Sequence, residues 1–137
     1  MKTVLASVLW LLALLAGCAT RPPPPPPPPP PTGLAELMER DAERALVEGI
    51  RAYDNAQYAP AEEALQRALA AGLVSPRDRA TAHKLLAFVT CSSGRETECE
   101  DHFRAALAAD PAFALTRAES GHPMWGPVAR RVLPAPP

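Results

Sequence analysis

From Leu34 onward the apolar residues recur at helical intervals. Leu34, Leu37, Met38, Ala42, Ala45, Leu46, Gly49, Ile50 and Tyr53 trace one face of a helix, with Thr32 as its candidate cap. Asp54-Asn55 is turn chemistry. A second helix is predicted over about residues 59–71, with Ala61, Ala64, Leu65, Ala68 and Leu69 on its face and Gly72 as C-cap. Ser75-Pro76 opens a third, proline being tolerated in a first turn, and it carries Ala80, His83, Leu86, Ala87 and Thr90. Ser92-Ser93-Gly94 breaks it. A fourth helix follows over about residues 96–109 and stops at Asp110-Pro111, because the residue before proline avoids the α region. The pattern therefore predicts an all-α domain of two helical hairpins.

The spacing within the hairpins repeats. Gly49, Tyr58, Ala61, Ala68 and Leu69 stand where a tetratricopeptide repeat has glycine, aromatic, small, small and large residues. About 38 residues later the pattern returns as Ala87, Gly94, Cys99, Phe103, Ala106, Leu107 and Pro111. The usual period is about 34, and the loop at residues 72–75 supplies the excess. Small residues let antiparallel helices approach, and a large residue fills the gap beside them. Two such hairpins are fewer than a solenoid normally needs, so the tail should cover the open face of the second. Phe113, Leu115, Trp125, Val128 and Val132 are its apolar groups. A short helix over residues 127–132 is expected, with turns at Gly121-His122-Pro123 and Gly126-Pro127. Trp125 is read as the anchor of this cap; the competing reading is an exposed hot spot for a partner.

The start of the chain follows a different pattern. Met1-Lys2-Thr3 is a short positive start, and residues 4–15 are apolar apart from Ser7. Leu15-Ala16-Gly17-Cys18 then resembles the lipobox of bacterial lipoproteins. A positive start, an apolar stretch and small residues at the cut describe an export signal. The stretch is about twelve residues against the about 20 a spanning helix needs. By this resemblance residues 1–17 are a lipoprotein signal peptide, and Cys18 is lipidated and becomes the mature N-terminus. Ala19, where aspartate would retain the product in the inner membrane, points to the outer membrane with the domain facing the periplasm. Residues 18–32 form the lipidated start and a linker. Pro22 to Pro31 is a run of ten prolines. With φ fixed and no N–H to donate, it should adopt polyproline II and span about 30 Å as a semi-rigid spacer. Residues 33–137 make up the helical domain.

Composition narrows the function. About 119 residues remain after the signal, enough for one small domain. The whole chain has a formal net charge of −1, which makes neither nucleic acid nor an anionic surface an obvious partner. With Cys18 assigned to lipid, Cys91 and Cys99 are left as an even pair in an oxidising compartment, flanking a hairpin turn. A disulfide between them is predicted; two buried thiols are the alternative. A metal site of Cys91, Cys99 and His102 would lack a fourth ligand and the usual spacing. No nucleophile elbow, phosphate loop or dinucleotide fingerprint occurs. Glu62-Glu63 and Glu100-Asp101 read as solvated faces, since adjacent helical residues point in different directions. His83 reads as packing, His102 as exposed or half-buried, and His122 as part of a turn. The expectation is no catalysis, no cofactor, no metal and no small-molecule substrate.

One stretch resembles a family. It runs from His83-Lys84-Leu85-Leu86-Ala87-Phe88, through Cys91, Ser93-Gly94-Arg95 and Cys99, to Phe103-Arg104, Ala106-Leu107, Asp110-Pro111 and Phe113. It closes with Ala118-Glu119-Ser120-Gly121-His122-Pro123 and Trp125-Gly126-Pro127-Val128. This is similar to the TssQ-like lipoproteins associated with type VI secretion systems, over about a third of the chain. The resemblance implies an accessory envelope component with a protein partner in the secretion apparatus, anchored to the membrane through its lipid. Its inner helices, the first and third, would then line a docking groove. The other readings are a structural spacer and a pilotin-like assembly factor for another envelope complex.

Overall fold

The computed structural model describes residue 33 and residues 40–134. The signal peptide, Cys18, the proline run, Thr32 and the leading positions Leu34, Leu37 and Met38 lie outside the described residues. Among those described, six helices and no strand occur: α1 (Asp41–Asp54), α2 (Tyr58–Ala71), α3 (Pro76–Ser92), α4 (Glu96–Ala109), α5 (Arg117–Ser120) and α6 (Gly126–Val132). No helix among them is long and apolar enough to cross a membrane.

The helix ends follow local chemistry. Ser75 caps α3: its hydroxyl accepts the Asp78 N–H at 3.3 Å, with Pro76 in the first turn. Gly72 ends α2 in the left-handed region at φ 90°. Arg79 reaches back to the carbonyls of Leu73 and Val74, at 3.0 and 2.8 Å, and holds the loop between the hairpins. Thr116 and Glu119 form a capping box at α5.

α1 packs on α2 and α3 on α4 as two antiparallel hairpins, with α3 also against α2 and α1. The packing inside the two hairpins corresponds. In α2, Ala61, Leu65 and Ala68 are fully buried; in α4, Cys99, Phe103 and Ala106 are. Gly49 allows α1 to approach α2 closely, since a Cβ there would meet Leu65 Cγ at 2.7 Å. Ala87, its counterpart on α3, is also fully buried. The turns correspond too: Ala56 and Gly94 have φ of 57° and 76°. α3 is the most enclosed helix, with an unbroken buried run from Leu85 to Cys91. Inside that run the Thr90 hydroxyl donates to the Leu86 carbonyl at 2.8 Å, so its burial leaves no orphaned polar atom.

The tail lies against the second hairpin, with α6 on α4. Leu115, Trp125, Val128 and Ala129 join the core, and Phe113, Val132 and Leu133 flank it. Two details differ from the sequence reading. Gly126-Pro127 opens α6 instead of forming a turn, because Gly126 brings the backbone against the Ser120 carbonyl, 2.6 Å from where a Cβ would lie. α5 was not expected; its four residues carry no apolar period, and the signal was the capping box Thr116-Arg117-Ala118-Glu119.

Candidate binding surfaces

Three features of the helical unit carry chemistry or shape: a bridged hairpin turn, a facing histidine pair, and the surface around the tail. Cys91, near the end of α3, and Cys99, near the start of α4, are joined by a disulfide with Cα atoms 5.2 Å apart. Both are buried. The sulfurs are thus committed, and His102 shares no metal site with them. Among the described residues no group of three or more His, Cys, Asp or Glu is placed to hold a metal ion.

His102 instead faces His83, with Nδ1 atoms 3.2 Å and ring centroids 5.4 Å apart. Both rings are half-buried. Burial pushes the His83 imidazole down to about 4, and the neighbouring His102 adds to it. His102 is also lowered by burial, opposed by the carboxylates of Glu98, Glu62 and Asp101. Two neutral rings suit the contact, one Nδ1–H donating to the other Nδ1 lone pair.

The carboxylates read from sequence as solvated are in part engaged. Arg95, in the second hairpin's turn, forms a bidentate pair with Glu62 of α2 at 2.8 and 2.6 Å. This links the two hairpins, and the Arg95 hydrogen bonds hold the Glu62 carboxyl below the usual range. Arg131 of α6 pairs with Glu96 and Glu100 of α4, and Arg104 joins Glu100 at 2.8 Å. Glu63 and Asp101 are exposed. Adjacent acidic residues do diverge; one of each pair found an arginine from a distant element, which helical periodicity does not reveal.

Aromatic rings run from the first turn to the tail. Tyr58 meets Tyr53 edge-on at 5.7 Å, and Tyr53 lies 6.3 Å from Phe88 of α3. Phe88 stacks on Trp125 at 4.2 Å, and Trp125 on His122 at 3.4 Å. The indole Nε1–H donates to the Glu119 carbonyl at 2.9 Å. Lys84 pairs with the Glu119 carboxylate at 2.7 Å and sits 5.7 Å from the Phe88 ring centre. Burial would raise the Glu119 carboxyl, but Lys84 and the Thr116 backbone N–H outweigh it and leave it lowered. Trp125 is therefore inside, 9% exposed, and it covers Phe88, which is 3% exposed. The part of the inner helices beside Phe88 is closed by the tail. Tyr58, 49% exposed, and the half-buried Ile50 and Tyr53 remain accessible. Between the 113–120 segment and α6 lies an apolar cavity of about 250 Å³, lined by Phe113, Leu115, Ala129, Leu133 and Pro134, with Arg130 at its edge.

No family model, curated protein or solved structure matches the chain.

Proposed function

We propose that this chain is a lipid-anchored outer-membrane lipoprotein whose tetratricopeptide-like domain docks a protein of the envelope, as an accessory component of a type VI secretion system. The observation that carries the docking part is the corresponding packing of the hairpins: Ala61, Leu65 and Ala68 in one, Cys99, Phe103 and Ala106 in the other, all fully buried. Stacked hairpins of this kind present extended surfaces to peptides and proteins. The lipid anchor rests on Leu15-Ala16-Gly17-Cys18, and the secretion assignment on the resemblance of the stretch from His83 to Val128. The docking surface is the accessible aromatic edge at Tyr53 and Tyr58 together with the tail cavity, since Trp125 covers the inner face at Phe88.

The test is a gene deletion, together with a photo-crosslinking residue at position 58 of the full chain in its own host. The expected result is loss of type VI effector secretion and a crosslink to a membrane-complex subunit of that system. Normal secretion without this protein, with no such subunit captured, overturns the reading. A spacer role is favoured by one observation, the closure of the inner face over Phe88. It predicts that Tyr58→Ser leaves secretion intact while deletion of the whole domain does not.

A further inference from the structure

Phe113 to Thr116 runs between α4 and α5 without regular structure. Its ends are tied: the Phe113 N–H donates to the Asp110 carbonyl at 2.9 Å, and the Thr116 N–H to the Glu119 carboxylate at 2.8 Å. Between them, the backbone groups of Ala114 and Leu115 have no hydrogen-bond partner among the described residues. Both residues line the apolar tail cavity, and Ala114 is exposed at its wall. Among the described residues that line the cavity, Arg130 alone is charged. Its Nη1 donates to the Ser120 carbonyl at 3.2 Å, and Gly126 leaves room for it, since a Cβ there would lie 3.4 Å from Nη1. No carboxylate among the described residues pairs with Arg130, whereas its neighbour Arg131 is taken by Glu96 and Glu100. We infer that the cavity receives the C-terminal residue of a partner polypeptide, its large apolar side chain inside and its α-carboxylate on Arg130. The inference rests on the docking reading above and names what one part of that surface takes.

Size sets the side chain. A dry cavity of about 150 Å³ holds a benzene ring. This one, at about 250 Å³, has room for a leucine or phenylalanine side chain and the start of its backbone. Small-molecule pockets begin at about 300 Å³. The unpaired backbone sets the ligand class. Peptide groups can pair with Ala114 and Leu115, as when a segment adds to a free edge, and an acyl chain cannot. Charge sets the position within the partner chain. Arginine presents a planar fork that meets a carboxylate in two parallel hydrogen bonds. Successive side chains of an extended peptide point to opposite faces. An acidic neighbour of an inserted leucine therefore points away from Arg130. The α-carboxylate of a last residue hangs on the same Cα as the inserted side chain, and it stays at the rim when that side chain goes in.

The experiment is fluorescence anisotropy with the full chain in phospholipid nanodiscs, where no detergent competes for the cavity. The probes are fluorescein-labelled peptide pools of mixed sequence with a defined last residue. Pools ending in Leu or Phe as free acids should bind with a Kd on the order of 100 µM. Amidation of that end, or Ala in its place, should weaken binding roughly tenfold or more. Arg130→Gln should remove the difference between acid and amide. Ala114→Trp, which fills the cavity from its exposed wall, should abolish binding. Arg51→Gln, on α1, should bind as wild type. Absence of saturable binding up to roughly 1 mM overturns the inference, as does equal binding of the amide pools, which would place an internal segment there. Should a variant fail to fold, the wild-type protein decides by nitrogen-15 and carbon-13 spectroscopy. The free-acid Leu pool should move the Ala114 and Leu115 amides and the Arg130 side chain together. Decanoate moving the Leu115 and Leu133 methyls while no peptide does overturns the inference in favour of an acyl chain. Secretion is a separate readout. Normal secretion in the deletion strain sinks the type VI assignment and leaves a positive peptide result standing; a failed titration leaves a crosslink at position 58 standing.

Discussion

Ala56 is the only non-glycine among the described residues with positive φ, at 57°. It occupies the turn of the first hairpin that Gly94 occupies in the second. A Cβ in the left-handed region costs about 1–2 kcal/mol, while glycine adds roughly 0.4–1 kcal/mol of unfolded-state entropy to be lost. Ala56→Gly should therefore stabilise the fold by about 0.5–1 kcal/mol, which thermal unfolding would register as a melting point a few degrees higher; a lower melting point would show the backbone is unstrained. The histidine pair gives a second prediction at this scale. In the folded chain both imidazoles titrate below their ordinary value, His83 at about 4. The unfolded chain binds those protons first as pH falls, so the contribution is intact above about pH 6.5 and is lost between there and about pH 4. The rings are partly solvated, so the loss should be about 1 kcal/mol. Melting points taken from pH 7 to pH 4 should drop less in His83→Asn than in wild type; parallel profiles would remove His83 as the source.

At the scale of elements, the bridge from Cys91 to Cys99 closes a loop with a sequence separation of 8. So short a loop places the entropic stabilisation at about 2–3 kcal/mol. The Cys91→Ala/Cys99→Ala variant should fold but melt lower by an amount of that order, and an unchanged melting point would show that the helices need no bridge. The tail depends on Trp125, which is stacked between Phe88 and His122 and hydrogen-bonded to Glu119. Trp125→Ala should cost about 3–5 kcal/mol. In protein lacking residues 1–17, where Trp125 is the one tryptophan left, the indole should emit at short wavelength and resist iodide; red-shifted, readily quenched emission would contradict its burial. These elements also show what was legible beforehand. The helices announced themselves through period and punctuation: Ser75-Pro76, Gly72 and Asp110-Pro111 each mark an end set by local backbone chemistry. The cysteine pair was legible because only neighbours across a turn could meet. The contact of His83 with His102 was not, nor that of Arg95 with Glu62. Such contacts depend on which way long side chains lean once the helices are packed, and periodicity carries no record of that.

For the whole molecule, two proposals differ in what they require. Attachment rests on one atom, the sulfur of Cys18. Cys18→Ser should abolish acylation and lipoprotein processing, and mass spectrometry of membrane-extracted wild type should find Cys18 modified; an unmodified cysteine would refute the anchor. Docking requires a surface the tail has left open, and the covering of Phe88 by Trp125 removes that part of the inner face. The order of contacts along the chain has a further consequence, for the speed of assembly. α1 meets α2, α3 meets α4, and the tail returns to the hairpin just before it. Partners so near in sequence demand little loop closure, the condition under which helical chains fold within microseconds to milliseconds. Under the proposed export, each hairpin can thus be finished as it arrives, without waiting for residues still on the other side of the membrane.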